Sequence, residues 1–440
     1  MSHKSPHSNQ LDDRIAAQLA PLLPAGSKLL LGLSGGMDSV VLLHALHRLA
    51  PKLGYTLSAM HVHHGISPNA DAWARFCTEL CERYAIQLEI KHVDIAPLKD
   101  AHGIEASARK LRHAAFAESV CRYVALAHHA DDQAETLMLQ LLRGAGLRGV
   151  SAMPLVREQG SQLLLRPLLA CGRTTLLAYA QQHALQWIED ESNADELYPR
   201  NFLRHRLFPV LEERFPAWRD TLGRSAQHFA EAAGMLEEVA LADGAGEPLL
   251  AVAKLDALSP ARGRNLLRHF LHLQGAPMPQ EAQLDDMLRQ LRSARDNADI
   301  CVNFGEWQVR RYRGHIHVMR ALTAFDPALR VDWQGEAALY WPPLQREVHF
   351  TAAVGSGVSR DRLSQGQVSL RLRNGGETLR PQPLAARRSM KNLLQEHGVP
   401  PWQRERLPLL YCGDELACVV GVAVAAEFRA AEGEQSVMVA

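Results

Sequence analysis

The sequence predicts an α/β protein whose N-terminal domain is built on a parallel sheet, followed by a mainly helical middle domain and a small α+β C-terminal domain. Three observations predict it. In the N-terminal half, short apolar runs alternate with segments of helical period, as in βα units that feed one parallel sheet. Helical runs then dominate from Trp218 to Arg292, broken by Gly244–Pro248 and by Pro277 and Pro279. The remainder alternates short strands with turns around one short helix. Pro209 and Pro216 close the first domain, so the expected domains are 1–215, 216–325 and 326–440.

The first βα unit carries the chemistry. Leu29–Leu33 is apolar and reads as a buried parallel strand. Ser34, Gly35 and Gly36 follow, small enough for a sharp turn and for a ligand to approach the backbone. Asp38-Ser39 then opens a helical run to Leu49, with Val40, Leu43 and Leu46 on one side. A strand, a glycine turn and a helix N-terminus make an anion site, because free N–H groups and the helix dipole point the same way. The spacing fits neither GxxxxGK[ST] nor GxGxxG. SGGMDS in this setting resembles the pyrophosphate-binding loop of the N-type ATP pyrophosphatases, the PP-loop superfamily. The resemblance implies a Rossmann-like PP-loop ATPase domain, ATP as cofactor, and a reaction that adenylates a substrate and releases pyrophosphate.

Composition narrows the class. The chain has 440 residues, with Lys+Arg and Asp+Glu both 48, so net charge announces no nucleic-acid partner and local charge must do so. The seven cysteines (77, 81, 121, 171, 301, 412 and 418) form no CxxC pair. Cys77 and Cys81, four apart on a helix, read as reduced core residues rather than a zinc site. The polar start MSHKSPHSNQLDDR holds no secretion signal, and no apolar run reaches the ~18 residues of a membrane span. The expectation is a cytoplasmic protein with no membrane partner.

In chain order, residues 1–14 read as polar and loose, and Ile15–Leu23 as a short amphipathic helix. Strands are expected at Thr56–Val62, Gln87–Val93 and Tyr123–Ala127, with an edge strand at Gln162–Leu169. Helices are expected at Ala70–Tyr84, Ile104–Val120, from Asp131 to Arg143, and at Arg173–His183. His61, His63 and His64 end the second strand. Strand ends of an open α/β sheet hold ligands, which favours a nucleotide or substrate contact there over a metal. Arg109 and Arg112 share a helix face and fit either a phosphate contact or a solvated surface. His128 and His129 end the fourth strand, and Asp131, Asp132 and Glu135 follow in the first turns of the next helix. Those acids could cap the helix or serve a Mg²⁺-bound nucleotide, since carboxylate oxygens suit Mg²⁺ beside phosphates. RGAGLRG, from Arg143 to Gly149, reads as a flexible loop or a turn. Asp190, Ser192, Asn193 and Asp195 make a polar loop, with Arg200, Arg204 and Arg206 on the helix behind it.

The middle block offers helices and two short strands around Gly305 or Gly314, with arginines that fit an RNA backbone or mere solubility. In the last domain Arg371, Arg373, Arg380, Arg387, Arg388 and Lys391 gather around the Asn374-Gly375-Gly376 turn and a helix at Arg387–His397. Glu377 is the only acid from Arg371 to Lys391. Backbone phosphates are the favoured target of this patch over a merely solvated face.

The ordered set SGGMDS, HVHHGI, ARKLR, HHADDQAET, RGAGLRG, RPLL and DESNAD…RNFLRH is similar to the tRNA(Ile)-lysidine synthetase family, and so is the terminal RNGGETLRP…KNLLQEHGVPPWQR…LPLLY. The match spans most of residues 28–215 and 370–425. The resemblance implies ATP-dependent ligation of L-lysine to C2 of the wobble cytidine in tRNA(Ile) with anticodon CAU, through an adenylated base. It implies that Ser34, Gly35, Gly36 and Ser39 hold the pyrophosphate moiety, with His63 and His129 as further nucleotide contacts. It implies Asp38 and Asp132 as holders of Mg²⁺ and as catalytic groups, together with Glu135 and Arg200. It implies tRNA contacts at Arg109, Arg112, Arg204, Arg371, Arg373, Arg387, Arg388 and Lys391. A homodimer is compatible with the reading. Two positions depart from the family pattern: His63, where many members have Asp or Asn, and Ala127, where many have Gly.

Three rival functions are weighed. A tRNA thiolase of the superfamily needs cysteine carriers or cluster ligands, usually in CxxC pairs, and none occurs. An amide-forming ligase has little use for a basic C-terminal patch or for Asp190–His205. A non-catalytic tRNA-binding protein has no need for an intact Ser34–Ser39 loop beside Asp131-Asp132.

Overall fold

The computed structural model describes residues 6–96, 104–191, 195–293 and 300–440. The chain divides into two compact units, Met1–Leu236 and Glu237–Ala440.

The first unit is built on β1 (Lys28–Gly32), β2 (Thr56–His63), β3 (Gln87–His92), β4 (Tyr123–Ala125), β5 (Val156–Gln159) and β6 (Gln162–Leu165), in the order β3-β2-β1-β4-β6-β5. All neighbours are parallel except β5, which is antiparallel to β6. Leu29 to Leu31 pair with Leu57 to Ala59 on one side and Tyr123 to Ala125 on the other, and all three leucines are buried. The chain winds from β1 outward to β3 and then returns to β1's other flank with β4. That reversal opens a crevice at the strand ends, where such sheets bind ligands. It also sets the loop after β1 beside the loop after β4.

β6 is not the edge strand that its sequence suggested. The edge is β5, whose exposed Arg157 and Glu158 keep the outer rim polar and hide its strand character.

Helix α1 (Pro6–Leu19) also corrects the sequence reading: residues 6–14 are helical, not loose. Leu11, Ile15 and Leu19 recur every four residues and are fully buried. Asp12 lies among them at 7% exposure. It accepts hydrogen bonds from Arg48 Nε (2.9 Å) on α2 (Met37–Leu53) and from the Tyr179 hydroxyl (3.0 Å). Tyr179 Oη lies 3.0 Å from His44 Nδ1, so one buried polar chain ties α1 to α2 and to the later helix Arg173–Gln182. Those helices and α3 (Ala70–Arg83) cover one sheet face. α4 (Ile104–Ala117) covers the other through Ala115 and Phe116, which meet Leu30, Met60, Val124 and Leu164. α5 (Ala130–Leu142) follows β4, and α6 is the helix Arg173–Gln182. α7 (Trp218–Ala242) runs on toward the second unit.

The second unit holds two apolar clusters. In the first, helices Pro260–Leu273 and Glu281–Ser293 pack on β7 (Leu250–Ala251), β8 (Ile300–Phe304), β9 (Trp307–Tyr312) and β10 (His315–Arg320). Gly305 and Gly314 both turn with positive φ, so three strands stand where two were expected. The second cluster fills the β-rich terminal region around Trp341, Leu370, Leu410 and Val419. Its helix starts at Met390, later than expected. Ser389 caps it, and Arg388-Ser389 pair instead with Thr378-Leu379 as a small ribbon. The seven cysteines are free thiols, and six are buried.

Asp12→Ala removes the acceptor shared by Tyr179 and Arg48. Urea denaturation should show a loss of about 2–3 kcal/mol, the cost of stranding a buried hydroxyl and a half-buried guanidinium. A loss under about 0.5 kcal/mol would mean that water replaces the carboxylate.

Candidate active site

After β1 the chain turns through Ser34, Gly35 and Gly36 into α2. Gly35 has φ +86°, and a side chain there would meet Ile188 Cδ1 at 2.6 Å, so only glycine fits on both counts. The loop is braced by its own serines. Ser39 Oγ donates to Gly36 O (2.9 Å) and accepts from Gly35 N (3.1 Å), while Ser34 Oγ accepts from Gly36 N (3.3 Å). The result is a cradle of two hydroxyls, two glycine amides and the first turn of α2.

Asp38 stands in that first turn. Its Oδ2 lies 3.4 Å from His129 Nε2, and its Oδ1 is buried with no hydrogen-bond partner among the described residues. His129 ends the β4 loop and caps α5. Its backbone N donates to Asp132 Oδ2 at 3.0 Å, and its Nε2 lies 3.6 Å from the same oxygen. Its Nδ1 lies 3.6 Å from Asp131 Oδ2. Burial alone would favour a neutral ring. The contacts with Asp131 and Asp38 and the charge of Asp132 outweigh it and raise the His129 pKa to about 10. On the Nδ1 side the Asp131 amide also approaches the ring, at 3.3 Å, and completes the cap. One imidazolium thus joins three carboxylates from two loops.

The acids of α5 separate by role. Asp132 faces the cleft. Asp131 faces away, accepting from Arg219 Nε (2.6 Å) and Arg173 N (2.9 Å). Burial would raise its pKa, but His129, Arg219 and the Arg173 amide hold it well below the usual carboxylate range. Glu135 is fully buried, which pushes its pKa up against the opposing pull of Arg204. Arg204 donates to Glu135 Oε1 through Nε (2.9 Å) and Nη2 (2.7 Å), and Nη2 lies 4.0 Å from Asp132 Oδ1. Glu135 Oε2 has no partner among the described residues. Arg204 sits in a π-helical turn, Leu203–Leu207, whose extra residue per turn swings its side chain into the cleft.

A cleft of about 480 Å³ opens above these groups, lined by Ser34, Gly36, Asp38, Ser39, His61, His64, Arg109, Arg112, His128, Asp132 and Arg204. A second cavity of about 570 Å³ adjoins it and is lined by Trp73, Tyr198, Arg200 and Asn201. Arg112, Asp190 and Arg204 line both. Each volume falls within the range of small-molecule sites. Burial, with nearby arginines, drives His64 and His113 down to about 4 and His128 to about 3, so these rings are neutral.

The structure therefore gathers Ser34, Gly35, Gly36, Asp38, Ser39, His129 and Asp132, as the sequence suggested, and sets Glu135 behind them through Arg204. His63 is placed differently. It lines the second cavity but not the first, its Nε2 lies 3.0 Å from Asp71 Oδ1, and its ring leans on His92, while His61 and His64 line both cavities. Arg109 and Arg112 face the cleft rather than an outer surface. Ser192 and Asn193 lie outside the described residues.

The C-terminal basic cluster is less uniform than its sequence. Arg371 is used within the fold: Nε donates to Ser369 Oγ (2.9 Å), Nη2 to Gly413 O (2.6 Å), and the guanidinium lies over Tyr411. Arg373 pairs loosely with Glu377 at 3.9 Å, Arg387 with Glu427 at 3.8 Å, and Arg388 with Glu396. Acids from beyond the segment thus fold back onto it. Arg387, Arg388 and Lys391 remain exposed. Sequence reasoning missed Arg219 and Ile188, whose neighbours in the chain give no hint of a site.

Residues 8–211 match a PP-loop domain, residues 250–317 a TilS substrate binding domain and residues 368–440 a TilS substrate C-terminal domain. The chain is 42% identical over 432 residues to a tRNA(Ile)-lysidine synthase of Nitrosomonas europaea, covering 97% of this chain and 93% of the relative. It is 42% identical over 428 residues to one of an Azoarcus species (96% and 92% covered), and 36% over 418 residues to one of Coxiella burnetii (94% and 92%).

The shifted histidines fix how stability follows pH. Between about 4 and the ordinary 6.5, an unfolded chain takes up protons that buried His44, His64 and His113 refuse, so stability falls as pH falls through that window. Glu135 opposes this slope with one proton against three. Between 6.5 and about 10, folded His129 keeps a proton that the unfolded chain releases, so stability falls as pH rises. The urea midpoint should be higher at pH 6.5 than at 4.5 or 9, and His129→Gln should flatten the alkaline side. A midpoint that climbs steadily to pH 9 would contradict the imidazolium.

Proposed function

The chain belongs to the tRNA(Ile)-lysidine synthase family, and from that premise we infer how its residues divide the work. It is an ATP-dependent ligase that forms lysidine on tRNA(Ile), with ATP bound by its PP-loop domain. The target, on our reading, is the wobble cytidine of the CAU anticodon. Its C2 oxygen attacks the α-phosphorus of ATP and pyrophosphate leaves. The lysine ε-amine then attacks C2 and AMP leaves.

The observation that carries the assignment of residues is the pairing of Asp38 and Asp132 through His129 at the mouth of the Ser34–Ser39 cradle. A phosphate entering the cradle would exchange the serine–amide bonds for bonds to its own oxygens, so Ser34, Ser39 and the Gly35 and Gly36 amides would hold the pyrophosphate. The unpartnered Asp38 Oδ1 and the cleft-facing Asp132 fit Mg²⁺, which supplies charge neutralisation between phosphates and base. Arg109 and Arg112 would face the phosphates or the incoming nucleotide.

The second cavity suits lysine. Asp190 answers its α-ammonium and Arg200 its α-carboxylate, where a guanidinium can bind both oxygens. The ε-amine has an ordinary pKa of ~10.4 and must lose a proton before attack. Asp132 faces both the cleft and Arg204 and is the acceptor we assign. Glu135 has no cleft surface and instead holds Arg204 in place. Cysteine chemistry has no support, because burial pushes the Cys77 and Cys81 thiols up to about 12 and 11. Arg387, Arg388 and Lys391 would bind tRNA phosphates from the 326–440 domain, with the 216–325 domain as a further tRNA contact. No helix among the described residues is long and apolar enough to cross a membrane, and the substrates fit a cytoplasmic enzyme. A homodimer is compatible with this reading.

Asp38→Asn should keep the fold and lose tRNA-dependent ATP–pyrophosphate exchange by roughly 100-fold or more. Incubation with ATP, Mg²⁺, CAU-anticodon tRNA(Ile) and single amino acids should add mass only with lysine, equal to lysine less one water on one cytidine. Equal product with ornithine would show that the cavity reads charge and not length.

The double change Arg387→Ala, Arg388→Ala should weaken tRNA binding and lower the slope of log affinity against log salt by about 1–2, with ATP affinity unchanged. An unchanged slope would mean that these arginines serve Glu427 and Glu396 alone.

A further inference from the structure

We infer that Arg219, which lies outside the cleft, is a positioning residue for adenylation: through Asp131 it fixes the ring of His129, which in turn holds Asp38 and Asp132. The inference rests on the assignment of Asp38 and Asp132 to the adenylation step.

Asp131 makes no contact with the cleft, yet both of its oxygens are held. Oδ1 accepts from Arg219 Nε at 2.6 Å, and Oδ2 accepts from Arg173 N at 2.9 Å. The latter oxygen is also 3.6 Å from His129 Nδ1, and the Asp131 amide is 3.3 Å from the same nitrogen, so Asp131 holds that side of the ring through both groups. On the ring's far side Nε2 faces Asp38 Oδ2 at 3.4 Å and Asp132 Oδ2 at 3.6 Å. The imidazole therefore has an anchor at each nitrogen, and only the Nδ1 anchor lies away from substrate. A group of this kind, behind a ligand-facing residue, sets its orientation.

Arg219 is itself rigid. Its guanidinium stacks on the Trp218 ring at 4.5 Å, and its Nη1 donates to Glu212. Trp218 is buried, donates from Nε1 to Glu212 Oε2 at 2.5 Å, and stacks on Phe208 at 4.2 Å. Phe208 directly follows the π-helical turn that carries Arg204. One aromatic pair thus supports Arg219 behind the catalytic acids and Arg204 in front of them. An exposed arginine pair would contribute little, but the Asp131 side chain is only 13% exposed and its second oxygen is fixed by a backbone amide. Arg219 also lies in the first turn of α7, so the seating of that turn and the geometry of the acids are linked.

The test uses the full chain and ATP–pyrophosphate exchange with tRNA present. Arg219→Met keeps the apolar stem over Trp218 and removes the charge. Its kcat should fall roughly 10- to 100-fold, with a smaller change in KM for ATP, since binding groups stay and alignment is lost. Arg219→Lys should recover part of the rate, because an ammonium can still meet Asp131. Asp131→Asn should show a similar kcat loss, and combining it with Arg219→Met should cost little more than either alone. Arg224→Met, further along the same helix on a different face and exposed, should exchange like the wild type. Unfolding midpoints are measured in parallel. Wild-type kcat per folded molecule in Arg219→Met or in Asp131→Asn, with Asp38→Asn inactive, overturns the positioning role alone. Retained exchange in Asp38→Asn overturns the assignment beneath it.

Discussion

Three carboxylates from two separate loops converge on one imidazolium, and the site depends on that convergence. Asp38 leaves the β1 loop, and Asp131 and Asp132 leave the β4 loop. Without a cation between them, two like charges facing a triphosphate would drive the loops apart. His129 is almost wholly enclosed, so its charge acts in a medium that screens weakly. The sheet order makes this meeting possible, because β4 returns to the flank of β1 after β2 and β3 have been laid on its other side. A change of order would leave both motifs intact in sequence and separate them in space.

What was legible in the sequence follows from this. The β1 loop and the β4 loop each carry their chemistry within a few residues, and a strand end followed by a helix start fixes where those residues point. Asp38, Ser39, His129 and Asp132 could therefore be read in advance. His63 could not be placed, because HVHHGI does not say which of its three imidazoles borders the nucleotide-sized cleft until the neighbouring Asp71 takes one of them. Residues 6–14 looked loose because Asp12 is charged. Its partners Arg48 and Tyr179 stand far along the chain, and only the folded structure shows the carboxylate satisfied. The basic run from Arg371 to Lys391 hides partners in the same way. Glu396, Asp414 and Glu427 return to it through tertiary structure and pair with Arg388, Arg371 and Arg387 at the surface.

The two adjoining cavities suit a reaction in two steps. An activated base is exposed to water as well as to lysine, so the second substrate must already be in place when the first step ends. Arg112, Asp190 and Arg204 line both spaces, so on the proposed assignment an amine and a nucleotide would meet at one boundary without movement of the sheet. The neutral state of His64 and His128 also matters there. An uncharged ring beside the arginines adds no further pull on phosphate and competes with none of the acids for a proton at neutral pH.

Glu135 shows the cost of such a site. A fully buried carboxylate with one oxygen lacking any described partner is an arrangement that stability alone would remove. Replacing both members of a buried ion pair by apolar groups is often neutral or stabilising. Here the pair cannot be traded away, because Arg204 reaches the cleft only through the wider π-helical turn, and Glu135 holds two of its donors at 2.9 and 2.7 Å. The turn, the buried acid and the arginine are then one device. The π turn spoils the regular hydrogen bonding of its helix, the acid stays incompletely satisfied, and both deficits place a guanidinium where two cavities meet.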